Sequence, residues 1–176
     1  MDKIQKIITA IAFAICFSGC EKDDICAEST PTTPRLVIEF YSYDNPLLQK
    51  SVTNLTAIGN SQTTGVVFNE TATDASRFYK TGTSVALPLD VSQGITTYKL
   101  RINSESPNPA VYNEDIITIN YATQQVYVSR ACGYKTIFEL SSIAEQGPIA
   151  DQWIKNLTIE TTNVDNENKT HVKIYF

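Results

Sequence analysis

The sequence predicts an all-β protein: an antiparallel, immunoglobulin-like β-sandwich behind a lipoprotein signal peptide and a short tether. Three observations predict it. About ten short runs alternate apolar and polar residues with period two, and they are rich in Thr, Val, Ile and Tyr. No window of a dozen residues carries a 3.6-residue period. Polar turn segments separate the runs at the spacing expected of sandwich or barrel strands.

The opening residues are a targeting device. Lys3 and Lys6 form a basic start, and Ile7 to Phe17 is an uncharged, mostly apolar run of eleven residues. Eleven helical residues at ~1.5 Å each reach about half-way across a ~30 Å hydrocarbon core, so a cleaved export signal fits better than a membrane span. Cleavage before Cys20 places Phe17, Ser18 and Gly19 at −3 to −1. Phe17 is too bulky for an ordinary signal peptidase site, and the pattern resembles a bacterial lipobox with Phe where Leu is commoner. Cys20 is therefore the expected lipidation site. Lys22, Asp23 and Asp24 follow it and look like the Lys-acid-acid export signal of surface lipoproteins; the plain alternative is a solvated acidic linker. The expected divisions are a signal peptide over 1–19, an acidic Pro/Thr-rich tether over 20–34, and a β-sandwich over 35–176.

Within the domain, RLVIEFY (35–41) sets Leu36, Ile38 and Phe40 on one face. VTNLTAI (52–58) and TGVVF (64–68) are short β runs. SVALPLD (84–90) aligns Val85, Leu87 and Leu89, but Pro88 has no N–H for a ladder, so this strand belongs at a sheet edge. ITTYKLRIN (95–103) turns Tyr98, Leu100 and Ile102 inward. EDIITINYA (114–122) and QQVYVSRAC (124–132) read as a hairpin about Thr123. YKTIFEL (134–140) follows a turn at Gly133, with Tyr134, Phe138 and Leu140 aligned. Residues 142–153 are the one helical candidate, one or two turns long. WIKNLTIETTN (153–163) and THVKIYF (170–176) flank VDNENK as a second hairpin. Strict alternation in VYVSRAC would turn Arg130 inward, towards a carboxylate such as Glu39; a bulge is the simpler reading.

The cysteines divide by fate. Cys16 leaves with the signal peptide, Cys20 takes the lipid, and Cys26 and Cys132 remain. In an oxidising compartment a leftover pair is normally a disulfide. It would close a loop of 106 residues, which chain entropy values at roughly 4–5 kcal/mol. The pairing would also shorten the tether. Six steps from Cys20 to Cys26 reach at most ~22 Å, against ~50 Å for the fourteen steps to Pro34. The end of the domain carrying Cys132 and Gly133 would then face the membrane.

Composition excludes more than it assigns. Without residues 1–19 the chain has 157 residues and a net charge of −6, enough for one cored domain and unfavourable for nucleic acid. There is no G-x-S-x-G, H-E-x-x-H or phosphate-cradling glycine loop. The single histidine, His171, reads as a solvent-facing strand residue. Asp165 to Asn168 lack the glycine and spacing of a calcium loop and read as a turn. Glu114 and Asp115 alternate faces and so do not converge. No catalytic residue, metal site or cofactor is expected.

CEKDDIC, TPRLVIEFY, SVALPLD and YVSRACGYKTIFEL together resemble a family of small Bacteroidota lipoproteins classed as a domain of unknown function. The resemblance implies an envelope lipoprotein with a β-sandwich body, and it carries no activity. The expected function is a lipid-anchored outer-membrane domain, surface-exposed or periplasmic. It would work as a binding or structural module, with a membrane contact through the lipid and an envelope protein or glycan as partner. Edge strand SVALPLD and the aromatic run FYSY (40–43) are its candidate contact material, although packing accounts for those tyrosines as well. The alternative is an envelope hydrolase with an unrecognised carboxylate site.

Overall fold

A computed structural model describes residues 25–27, 30, 32–59, 62–105, 113–146 and 152–176. Cys20, Lys22, Asp23 and Asp24 lie outside them. The described chain is a two-sheet β-sandwich, as the alternation predicts. The smaller sheet holds four strands in the order β4-β1-β10-β8: β1 (Leu36–Tyr41), β4 (Ser84–Leu87), β8 (Asn156–Ile159) and β10 (Val172–Tyr175). The larger runs β3-β2-β5-β6-β7-β9: β2 (Val52–Gly59), β3 (Lys80–Gly82), β5 (Ile95–Ile102), β6 (Asn113–Ser129), β7 (Gly133–Gln146) and β9 (Asn163–Val164). One pair departs from antiparallel order: β1 and β10 run parallel, with Ile38 opposite Val172.

The inward rows are those of the sequence pattern. Leu36, Ile38, Phe40, Leu87, Leu100, Ile117, Ile119 and Ile174 are completely buried, and Tyr98, Val85, Leu89, Phe138 and Leu140 nearly so. Removing this apolar surface from water is the main drive for the two sheets to meet. β4 is an edge strand and stops immediately before Pro88, for the ladder reason given above. At one end Trp153 packs against Phe40 and Phe176 and donates its indole N–H to the Leu100 carbonyl at 3.1 Å.

Several local expectations are corrected. Residues 64–68 form no strand: the Val66 amide donates to the Ala57 carbonyl and the Phe68 amide to the Arg77 carbonyl, each at 2.8 Å, without a continuous ladder. Thr123 is not a turn: β6 runs unbroken for seventeen residues, because β7 pairs with it along its whole length, with Thr123 opposite Phe138. The hairpin turn is instead at Arg130–Cys132. Residues 142–146 are strand rather than helix, since Ser142 to Gln146 continue the β7 ladder opposite Asn120 to Ile116. The second hairpin is interrupted: β8 does pair with β10, but β9 between them crosses to the larger sheet and pairs with β7. His171 is not solvent-facing but fully buried, because its ring is bonded to the backbone of β1.

Arg130 is exposed, and the register slips between Tyr127 and Ser129, as a bulge requires. Glu39 accepts instead from the Tyr41 hydroxyl at 2.8 Å. Tyr134, aligned in sequence with Phe138 and Leu140, is 66% exposed. The reason is the length of the neighbours. β5 pairs with β6 only as far as Asn120, and β9 pairs with β7 only at Phe138 and Glu139, so beyond Thr123 and Phe138 the strands β6 and β7 continue as a two-stranded arm.

Candidate functional site

Three places hold chemistry that the fold positions. The first is the tip of the β6–β7 arm. Cys26 is bonded to Cys132 there, with Cα atoms 4.9 Å apart. Further along, the Thr33 hydroxyl accepts from the Thr136 amide at 3.0 Å, Pro34 is buried, and Arg35 forks onto Glu167 through Nε and Nη2 at 2.8 and 2.6 Å. The Arg35 backbone N–H adds a third bond to the same carboxylate. That guanidinium holds the Glu167 carboxyl below its ordinary range. The N-terminal segment is thus fastened to the arm and to the β9–β10 connection, and from Thr33 onward it is docked chain.

The second place is the opposite end of the sandwich. Asp115 is 1% exposed and points inward as the outermost member of the row Asp115, Ile117, Ile119, Tyr121. Its Oδ2 accepts from the Ile154 amide at 2.7 Å, while Oδ1 is buried and makes no hydrogen bond of normal geometry among the described residues. Glu145 stands opposite Ile117 on β7, which places it diagonally across from Asp115 on the same sheet face. Its Oε2 accepts from Gln152 at 2.5 Å, and its Oε1 is also buried with no partner among the described residues. Burial raises both carboxyls, and in Glu145 the neighbouring Asp115 adds to the rise. Glu114 does face the other way, bonding Arg101 at 2.7 Å on the outer surface. Sequence reading paired Asp115 with its chain neighbour and missed Glu145. The signal was available only through the register of a strand that had been read as a helix.

The third place is an open cleft of about 690 Å³ beside β5. Gln62, Thr64, Asp90, Gln93 and Thr97 line it, over Tyr98. The Tyr98 hydroxyl donates to the Pro88 carbonyl, and the Tyr121 hydroxyl donates to the Asp90 carbonyl at 2.8 Å, so two inward tyrosines hold the 88–90 segment against β5. Burial pushes both phenols up, so they stay neutral donors. On the other wall Gly65 lies so close to β2 that a Cβ there would meet Thr56 Cγ2 at 2.8 Å. Among the described residues no group of three or more His, Cys, Asp or Glu is placed to hold a metal ion.

No curated protein and no solved structure is detectably similar to this chain. A family model does match, over residues 54–176, from early β2 to the last residue of the chain. By that match, the chain belongs to a family of unknown function, DUF6452.

Proposed function

We propose that the protein is a lipid-anchored domain of the outer membrane, displayed at the cell surface, that acts by contact rather than by catalysis. The observation that carries the reading is the Cys26–Cys132 disulfide. Such a bond persists in an oxidising compartment and is rare in a reducing one, so it supports export. Export in turn supports the lipobox reading of the cysteine six residues upstream. Acyl chains on Cys20 would anchor the domain, each buried CH₂ contributing ~0.8 kcal/mol. The contact partner in this reading is an envelope protein or a glycan.

Asp115 and Glu145 favour a second reading, the hydrolase with a carboxylate site. Two raised carboxyls on one face are what general acid–base chemistry uses. Against it, Asp115 is engaged in holding the Ile154 amide, and the described cleft is lined by neither acid.

The test is metabolic labelling with palmitate in the native cell. The wild-type protein takes up label and fractionates with the outer membrane, and Cys20→Ala yields an unlabelled precursor or soluble form. A processed, membrane-bound Cys20→Ala protein would overturn the anchor. Pull-down of the lipidated protein from its envelope then identifies the contact partner.

A further inference from the structure

We propose that the tip of the β6–β7 arm is a membrane-seating surface, on which Ile25, Tyr127 and Tyr134 rest in the headgroup layer of the bilayer that holds the Cys20 lipid. The proposal rests on the acylation of Cys20 and adds to it a second, protein-borne contact with the same membrane.

Three large side chains stand exposed around one crosslink. Ile25 is 83% exposed and precedes Cys26; Tyr127 and Tyr134 are 57% and 66% exposed and flank the turn that holds Cys132. The two tyrosines are directly opposite each other in the ladder, with ring centroids 5.4 Å apart and planes at 69°. They therefore form one edge-to-face unit rather than two stray rings. Tyrosine suits the boundary between headgroup and acyl chain, since one end of the ring is apolar and the other hydrogen-bonds.

The length of chain between the anchor and the tip selects the bilayer as the occupant. Six steps from Cys20 to Cys26 extend at most ~22 Å, so the lipid and the tip cannot be far apart. Without the disulfide the next fastened point among the described residues is Thr33, and the reach to it is about 45 Å. On its β6–β7 side the tip carries one cation between Val126 and Tyr134, the exposed Arg130, and no acid, whereas Glu21, Lys22, Asp23 and Asp24 precede Ile25 on the tether side. A lone guanidinium beside neutral aromatics is matched to phospholipid phosphates.

The experiment uses the full lipidated protein reconstituted in phosphatidylcholine vesicles containing a phosphatidylcholine with a photoreactive group near its headgroup. Lipid adducts are mapped by mass spectrometry. Tyr43 is the internal reference: it is 56% exposed and follows β1 at the end of that strand away from Thr33. The expected result is at least three-fold more adduct on peptides holding Tyr127 and Tyr134 than on the Tyr43 peptide. Tyr127→Ser/Tyr134→Ser should lower the arm's adducts at least three-fold without lowering the melting temperature. Equal labelling of both ends overturns the proposal, as does a crosslinked protein dimer with no lipid on the arm. The mass of the Cys20 peptide separates the two levels. An acylated Cys20 with an unlabelled arm sinks the seating surface alone; an unacylated Cys20 sinks the anchor and the seating with it.

Discussion

Nδ1 of His171 accepts the amide hydrogen of Val37 at 2.9 Å, and the amide of His171 donates back to the Val37 carbonyl at 3.0 Å. This exchange opens the parallel β1–β10 pairing, the one place among the described strands where the ladder runs against the antiparallel pattern. Because Nδ1 is an acceptor, the ring proton of the neutral imidazole is on Nε2. Nε2 is buried, and among the described residues it makes no hydrogen bond of normal geometry. Desolvation holds the imidazole below its ordinary range and outweighs the opposing pull of Asp165, the Asn166 carbonyl and Glu167; Lys169 adds to the lowering.

A pH dependence follows from that direction. A histidine whose folded pKa lies below its unfolded value binds fewer protons when folded. Its effect on stability is nil above the unfolded value of ~6.5, and stability then falls as the pH drops from there towards the folded pKa. The slope for one group is at most ~1.4 kcal/mol per pH unit. Melts from pH 7.5 to 5 should fall with acidity. His171→Phe should flatten that slope while costing ~1–3 kcal/mol for the Val37 N–H left unpaired. An equal slope in both proteins would remove His171 as its cause.

Asp115 has the opposite sign. Burial raises its carboxyl, so its ionisation costs stability as the pH rises from the unfolded value towards the folded one. Asp115→Asn keeps an oxygen for the Ile154 amide and removes the charge, and it should melt within ~1 kcal/mol of the wild type at pH 7. Asp115→Ala leaves that amide unsatisfied and should lose ~1–3 kcal/mol. If the Asn variant falls as far as the Ala variant, the bond to Ile154 requires the ionised carboxylate.

The two-sheet body was legible because period-two alternation is a burial pattern, and each row from Leu36 to Phe40 or Tyr98 to Ile102 buries as one unit. Pro88 was legible for a local reason, its missing N–H. What stayed hidden depends on partners distant in sequence. Thr123 looks like a turn until seventeen residues of β6 meet fourteen of β7, and His171 looks outward until the ring meets Val37, 134 positions away. Tyr134 aligns in sequence with the core residues Phe138 and Leu140, because nothing in the local sequence shows where β5 ends.

The proposed display at the cell surface makes a prediction for Lys22, Asp23 and Asp24. In intact cells added protease should degrade the wild-type protein. Replacing all three residues with alanine should protect it, while palmitate labelling at Cys20 continues. Equal digestion of both proteins would leave the tract as solvated linker.

The disulfide should contribute more to stability than any of the other fasteners of the N-terminal segment. Its loop spans 106 positions, and chain entropy assigns a loop of that length roughly 4–5 kcal/mol, with measured values commonly lower. The Arg35–Glu167 fork is bidentate but partly solvated at both side chains, and pairs of that kind contribute ~0–1 kcal/mol. Glu167→Ala should therefore shift the melting temperature little. Cys26→Ser should lose ~2–5 kcal/mol, and at about 2–4 °C per kcal/mol for a chain of this size the midpoint should drop by roughly 5–20 °C. The loss acts largely through the denatured ensemble, so the folded Cys26→Ser protein should keep the Thr33–Thr136 bond and the native β6–β7 ladder by amide exchange. Peptide mapping without reductant supplies the covalent control. Two alkylatable thiols at Cys26 and Cys132 in freshly isolated envelope would mean that the bond does not hold in the cell, and the short reach from lipid to arm would go with it.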